Sequence, residues 1–354
     1  MRREHSSEEI RKYVLDKITD HPRTLSSRVS KEFKISRQAV YRHLAKLKKE
    51  GLIQIQGRTR NRAYYLKPIE EREINIKLAP DLQEDVIWRE NYASFFADIK
   101  SNIRDICHYG FTEMVNNVID HSEADMLTTK FEYNIKQLKI WIYDNGIGIF
   151  NKITNDLELD DNRHAILELC KGKLTTDPDR HTGEGIFFTS RMFDIFSILS
   201  GDLFFAYYQD NDWLIENKSN ILRGTTISMK LDLDTNRTVK EILDKYALEE
   251  EDFGFTRTRF PVALAAYGEE SLVSRSQARR LLARFERFKE VCLDFSKIEF
   301  IGQAFADEIF RVYQNENPSI RIIWMCANDD VEKMISRILA GQDKDQLKIN
   351  LNMQ

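Results

Sequence analysis

Three polar residues that could do chemistry, Glu113, Asn117 and His121, recur every four positions in the stretch Phe-Thr-Glu-Met-Val-Asn-Asn-Val-Ile-Asp-His. On a helix of about 3.6 residues per turn they line one face, while Phe111, Val115 and Val118 cover the opposite side. A carboxylate, an amide and an imidazole are left on a face free for chemistry. Further along, Leu138, Ile140 and Ile142 alternate and run into Asp144-Asn145-Gly146-Ile147-Gly148. That pattern predicts a strand ending in a tight, ligand-contacting turn. A buried carboxylate at such a turn selects adenine, whose exocyclic amine donates where guanine presents a carbonyl. Losing a hydrogen bond of that kind costs about 1–3 kcal/mol. Magnesium prefers hard oxygens and keeps several waters, so one amide oxygen together with phosphates makes a workable shell. Read together, the two segments point to an ATP site in the middle of the chain.

Two more glycine segments follow, His181-Thr182-Gly183-Glu184-Gly185-Ile186-Phe187 and Gly224-Thr225-Thr226, the latter leading into Ile227-Ser228-Met229-Lys230-Leu231. The four segments, in this order over residues 85–235, resemble the GHKL ATPases, the group of gyrase B, MutL and the histidine and anti-sigma kinases. The resemblance implies an α/β sandwich with a Bergerat-type ATP site, binding ATP and Mg2+. By motif position it implies Asn117 as the metal ligand, Glu113 as the base that activates water or a hydroxyl, and Asp144 as the acceptor for the adenine amine. Gly146 and Gly148 would let the backbone approach the nucleotide. Thr182, Gly183 and Gly185 would open a helix beneath the phosphates, where free amides and the helix dipole favour anions. Thr226 would supply the adenine-side hydroxyl. His121 either contacts the nucleotide or caps helix carbonyls. Residues 149–181 would form a lid, with Lys171, Lys173 and Arg180 reaching the phosphates, or else a charge-rich surface loop.

The elements that flank this region differ sharply in charge. The chain has 354 residues and a net charge of −4, yet residues 1–70 hold 18 Lys plus Arg against 8 Asp plus Glu, a balance of +10, leaving −14 for the remainder. A separate basic module of this kind suits a polyanionic partner. Its apolar spacing predicts three helices, marked by Ile10, Tyr13, Val14 and Ile18, by Leu25, Val29 and Phe33, and by Val40, Leu44 and Leu47. Ser36 is a good N-cap for the third helix, and Gly51 ends it. Residues 52–55 and 63–66 read as strands around the turn Gly57-Arg58-Thr59-Arg60-Asn61-Arg62. This resembles a winged helix-turn-helix of the bacterial repressor type. The resemblance implies double-stranded DNA as partner, with Ser36, Arg37, Gln38, Tyr41 and Arg42 facing bases or phosphates from the third helix. Arg58, Arg60 and Arg62 on the wing would contact phosphates or a minor groove. One short reading helix gives limited specificity, so a homodimer on a two-fold site is expected.

After the acidic run Glu249-Glu250-Glu251-Asp252 a third module begins. Residues 260–264, 291–295 and 320–325 read as strands. Between them fall a helix rich in Arg279, Arg280, Arg284 and Arg287, a helix opening over residues 301–310, and a closing helix over 331–339. The stretch from Leu293 to Ala306 resembles the STAS fold of anti-sigma-factor antagonists. Those proteins carry a phosphorylatable serine at the start of the helix, whereas this chain reads Gly302-Gln303-Ala304-Phe305-Ala306 there. Ser296 lies earlier, at a strand end, where a turn or capping role fits.

The expected architecture is therefore multidomain α+β: a winged helix-turn-helix over residues 1–70, a GHKL ATP-binding domain over 71–240 and a STAS-like domain over 250–345. Hydrophobic content of 42% and charged content of 31% fit a globular protein. No apolar run approaches the ~18 residues of a membrane span, and Met-Arg-Arg-Glu-His-Ser-Ser-Glu-Glu lacks the apolar core of a signal peptide, so none is expected. Cys107, Cys170, Cys292 and Cys326 are scattered, which excludes a zinc pattern and fits a reducing cytoplasm. Three functional classes fit: an ATP-responsive transcriptional regulator, with the STAS-like domain as a docking site for a regulatory protein; a serine/threonine kinase of the anti-sigma type acting on a separate partner; and a chromosome-directed ATPase. The last lacks a transducer domain. A histidine kinase is disfavoured because residues 70–100 contain no histidine.

Overall fold

The computed structural model describes residues 6–58, 61–79, 81–174, 183–208, 211–216, 222–246, 255–266 and 271–340. The chain forms two compact units, one of Met1–Asn75, Thr128–Trp141 and Lys230–Thr235, the other of Ile76–Leu127, Ile142–Met229 and Asn236–Gln354.

The first unit opens with α1 (Ser7–Lys17), α2 (Leu25–Phe33) and α3 (Arg37–Lys49), followed by an antiparallel hairpin of β1 (Ile53–Gln56) and β2 (Ala63–Leu66). The apolar positions at helical spacing are the core: Ile10, Val14 and Ile18 meet Leu25, Val29 and Phe33 and then Val40, Leu44 and Leu47, all buried. Tyr13 meets Phe33 edge-on at 5.3 Å. The turn between α2 and α3 is set by Lys34 in the left-handed region at φ 51°. Ser36 then caps α3 by accepting from the Ala39 amide at 3.2 Å. Gly51, at φ 76°, closes α3 where a side chain would be strained. Ile135 packs on this same core, and Lys136 pairs with Asp16.

From there the chain runs through β3 (Glu70–Lys77), α4 (Glu84–Asn91), α5 (Ser101–His121), β4 (Met126–Tyr133), β5 (Gln137–Asp144), α6 (Ile149–Asp156), α7 (Asn162–Lys171), α8 (Gly185–Met192), β6 (Ile195–Gly201), β7 (Leu203–Tyr208), β8 (Asn211–Glu216), β9 (Leu222–Asp232) and α9 (Val239–Asp244). The strands form one sheet in the order β3-β4-β5-β9-β6-β7-β8. Alternation aims Leu138, Ile140 and Ile142 of β5 and Ile227, Met229 and Leu231 of β9 into the core. The edge strand β3 buries none of its residues, and Lys130 of β4 reaches Glu71 on it at 2.6 Å. In the second unit α5 is anchored by aromatic rings, Trp88 lying 5.5 Å and Tyr92 5.4 Å from Phe111.

The last part holds β10 (Arg257–Pro261), α10 (Arg275–Leu282), β11 (Glu290–Asp294), α11 (Gln303–Asp307), a π-helical stretch Glu308–Tyr313 leading into α12 (Gln314–Glu316), β12 (Arg321–Met325) and α13 (Asp329–Leu339). The three strands are parallel, with Phe260 opposite Leu293 and Leu293 opposite Trp324. Parallel neighbours need long crossovers, which the helices supply. The first strand lies at 257–261 rather than 260–264. Pro261 has no N–H to continue a ladder, and Val262–Ala265 wind into a 3-10 turn. The arginine-rich helix stops at Leu282, where Ala283 turns out of the helix at ψ 132° and Arg284 follows in the left-handed region at φ 65°. Among the described residues no helix is long and apolar enough to cross a membrane. Cys107, Cys170, Cys292 and Cys326 form no disulfide, and Cys107 and Cys170 are buried.

Candidate functional site

A cavity of about 320 Å³ lies in the second unit where α5, the β5 turn, α6, the start of α8 and β9 converge. Glu113, Asn117 and His121 face it from α5, and Asp144, Gly148, Gly183 and Gly185 join them. Its apolar wall includes Ile149, Ile153, Leu169, Leu174, Phe187 and Ile227. A lining that combines these polar groups with apolar side chains suits a flat heteroaromatic ligand with a charged tail.

The turn after β5 is fastened to the end of α5. Ile147 donates its amide to the Ser122 carbonyl at 2.9 Å, and Asn145 accepts from the amides of Asp125 and Met126. Gly146 is required there, since a Cβ would lie 2.0 Å from the Ser122 carbonyl oxygen. Asp144 is 2% exposed and accepts from the Gly146 amide at 2.9 Å. Burial raises its pKa above the usual carboxylate value, while hydrogen bonds from Gly146 and from the amide and hydroxyl of Thr225 pull it back. The Thr225 oxygen also accepts from the Ile149 amide at 2.9 Å, tying β9 to α6. At the other end, a Cβ on Gly185 would lie 2.0 Å from a Glu113 carboxylate oxygen. The carboxylate therefore rests against the first residue of α8, at the end of the helix where the backbone amides point outward.

Several expected positions are corrected. The hydroxyl in the cavity is Thr225, not Thr226; on a strand of period two, Thr226 falls on the opposite face from buried Thr225 and Ile227. Lys173 does not point toward the cavity. Its ammonium donates to the Arg287 carbonyl at 2.9 Å and lies over the rings of Phe255 and Phe288. Lys171 is 1% exposed and donates to Glu168 at 2.7 Å and to the Ala283 carbonyl at 2.7 Å. A lysine alternation cannot say which side of a segment faces a ligand. Thr182 and Arg180 lie outside the described residues. Sequence reasoning missed Lys152, which lines the cavity from α6 and pairs with Asp156 at 3.0 Å. Its place one helical turn beyond Gly148 was the available signal.

His164 on α7 is enclosed, with neither ring nitrogen hydrogen-bonded. Burial lowers its pKa from the ordinary 6.5, Glu168 and Asp160 opposing and Arg280 and Lys171 reinforcing the shift. Above 6.5 the ring is neutral in both folded and unfolded chains. Below it the unfolded chain takes up a proton that the folded chain resists, so stability falls as pH drops from 6.5 toward the lower folded value. Thermal melts between neutral and mildly acidic pH should show this decline, and His164→Gln should flatten it.

On α3, Arg37, Gln38, Tyr41 and Arg42 are exposed on one face, and Tyr41 is 50% exposed. Ser36 is occupied as the cap. Arg58 is exposed at the hairpin tip, and Arg60 lies outside the described residues. Arg62 differs from expectation: it donates to the Tyr41 hydroxyl and lies 5.2 Å from the centre of that ring. It joins the wing to the reading helix instead of standing alone.

Residues 8–54 match the family model described as "Bacterial regulatory protein, arsR family". The N-terminal module is an ArsR-family helix-turn-helix. Residues 277–332 match a second model, "STAS-like domain of unknown function (DUF4325)". The C-terminal module is STAS-like. No curated protein matches the chain. The STAS-like module has no hydroxyl where an antagonist would be phosphorylated: α11 starts at Gln303 with Gly302 as its cap. Ser296 donates both its amide and its hydroxyl to Asp294, at 2.9 and 2.7 Å, and so holds a turn.

Proposed function

We propose that this chain is an ATP-responsive transcriptional regulator, in which a GHKL-type site binds ATP with magnesium and its occupancy governs DNA binding by the ArsR-family module. The observation that carries the nucleotide reading is the convergence of Glu113, Asn117 and His121 with Asp144, Thr225 and Gly148 around one cavity. The donor set fits the group. Asp144, buried and already oriented by Gly146 and Thr225, offers an acceptor to an exocyclic amine. Asn117 offers an amide oxygen of the kind magnesium prefers, and Glu113 inside the cavity needs a cation between itself and a polyphosphate. The glycines at 146, 148 and 185 leave room that a Cβ would fill. Bound magnesium would neutralise phosphate charge and polarise the terminal phosphate. Glu113 is placed to accept a proton from water, while Lys152 adds a positive charge to the cavity lining.

Isothermal titration with Mg-ATP and Mg-GTP tests this reading. Wild-type protein should bind ATP and discriminate against GTP. Asp144→Asn turns a donor toward the Gly146 and Thr225 donors and should weaken ATP by about 1–3 kcal/mol, roughly 5- to 150-fold. Equal binding of ATP and GTP, or unaltered ATP affinity in Asp144→Asn, would remove the adenine assignment. Asn117→Ala should abolish the gain in affinity that magnesium provides.

A further inference from the structure

We propose that the STAS-like domain sets the nucleotide affinity of the cavity by clamping the segment from Glu168 to Leu174 that contributes to its wall, an inference that rests on the nucleotide reading above. The segment has two sides with different partners. Leu169 and Leu174 line the cavity. Glu168, Lys171 and Lys173 are held by the STAS-like domain: Lys171 donates to the Ala283 carbonyl at 2.7 Å, Arg284 lies 3.4 Å from Glu168, and Lys173 and Arg287 exchange hydrogen bonds at 2.9 and 2.7 Å. Thr258 of β10 donates its hydroxyl to the Lys171 carbonyl at 2.8 Å. Both members of the Glu168–Lys171 pair are buried to within 2% of full enclosure.

A second, apolar route runs alongside. Phe187 in the cavity wall stacks on Phe255 with centroids 4.4 Å apart, and Phe255 meets Phe288 at 5.4 Å. Gly172, at φ 82°, is what lets these rings close, since a Cβ would lie 2.5 Å from Phe255. A ligand that displaces Leu169 or Leu174 therefore shifts groups bonded to residues 258 and 283–287, and a shift there moves the wall. Close-packed contacts do not yield gradually, so each arrangement is favoured or disfavoured as a unit. By linkage, whatever the STAS-like domain binds changes nucleotide affinity by the same factor that nucleotide changes its own.

The test uses the full chain with Arg284→Leu and Arg287→Ala combined, which removes bonds on the STAS-like side and touches no cavity residue. Titration with Mg-ATP should show weaker binding by about 5- to 150-fold, the usual span of coupling between sites. Hydrogen exchange should show ATP slowing exchange over residues 257–261 and 281–288 in the wild type and not in the variant. Should that variant unfold, Glu168→Leu with Lys171→Met removes both members of the buried pair while keeping their volume, takes away the carboxylate that faces Arg284, and should weaken ATP similarly. Unchanged affinity in a folded variant, with ATP still bound by the wild type, overturns the clamp and leaves the nucleotide reading standing. Failure of the wild type to bind ATP overturns both.

Discussion

Gly224→Ala should cost about 2–5 kcal/mol and abolish ATP binding, whereas Gly201→Ala should cost only about 1–2 kcal/mol. Both glycines have positive φ, 82° and 61°, so both substitutions carry the left-handed strain of about 1–2 kcal/mol. They differ in surroundings. A Cβ on Gly224 would lie 1.9 Å from the Asp144 carbonyl oxygen, in backbone that cannot swing away, whereas Gly201 has nothing within 4 Å. Overpacking of that kind adds about 1–3 kcal/mol. It would also push apart β5 and β9 beside Asp144 and Thr225. Urea melts compare the two substitutions directly, and equal stability losses would mean that the contact at Gly224 is relieved by movement elsewhere.

Arg37→Ala combined with Arg42→Ala should weaken duplex DNA binding by more than about tenfold at low salt, because each exposed arginine neutralises a phosphate or reads a base edge worth about 1–3 kcal/mol. The slope of log affinity against log salt should fall by up to ~2 if both contact phosphates. Fluorescence anisotropy with a random-sequence duplex, across a salt series, gives both quantities. ATP binding measured in parallel should stay at the wild-type value, since neither residue belongs to the cavity. An unaltered slope would place the DNA surface elsewhere.

The helix-turn-helix was almost wholly legible from sequence, because its core is local. Ile10, Val14, Leu25, Val29, Val40 and Leu44 sit at helical spacing within a short stretch, and Ser36 and Gly51 mark the ends of α3. The face of Glu113, Asn117 and His121 was legible for the same reason, helical periodicity within one element. What could not be read depended on parity or on distant partners. After a glycine with positive φ, the side of β9 on which a threonine falls reverses with one residue, and Thr225 rather than Thr226 entered the cavity. The positions of Lys171 and Lys173 were decided by residues 283 and 287, more than a hundred positions away. Arg62 looked like a free wing cation, and only the folded hairpin brings it to Tyr41.

The charged outer strand β3 bears on how two copies could associate. Its sequence Glu-Glu-Arg-Glu-Ile-Asn-Ile-Lys carries five ionisable side chains in eight residues, with Lys130 of β4 neutralising Glu71 and lying 3.9 Å from Glu73. A second β3 laid against it would have to desolvate this row of charged side chains, the device by which exposed sheet edges resist templating one another. Extension of the sheet into a continuous ribbon across two chains is thus guarded against along this border, and a symmetric pairing of the protein must be built from side-chain surfaces rather than from shared backbone ladders at β3.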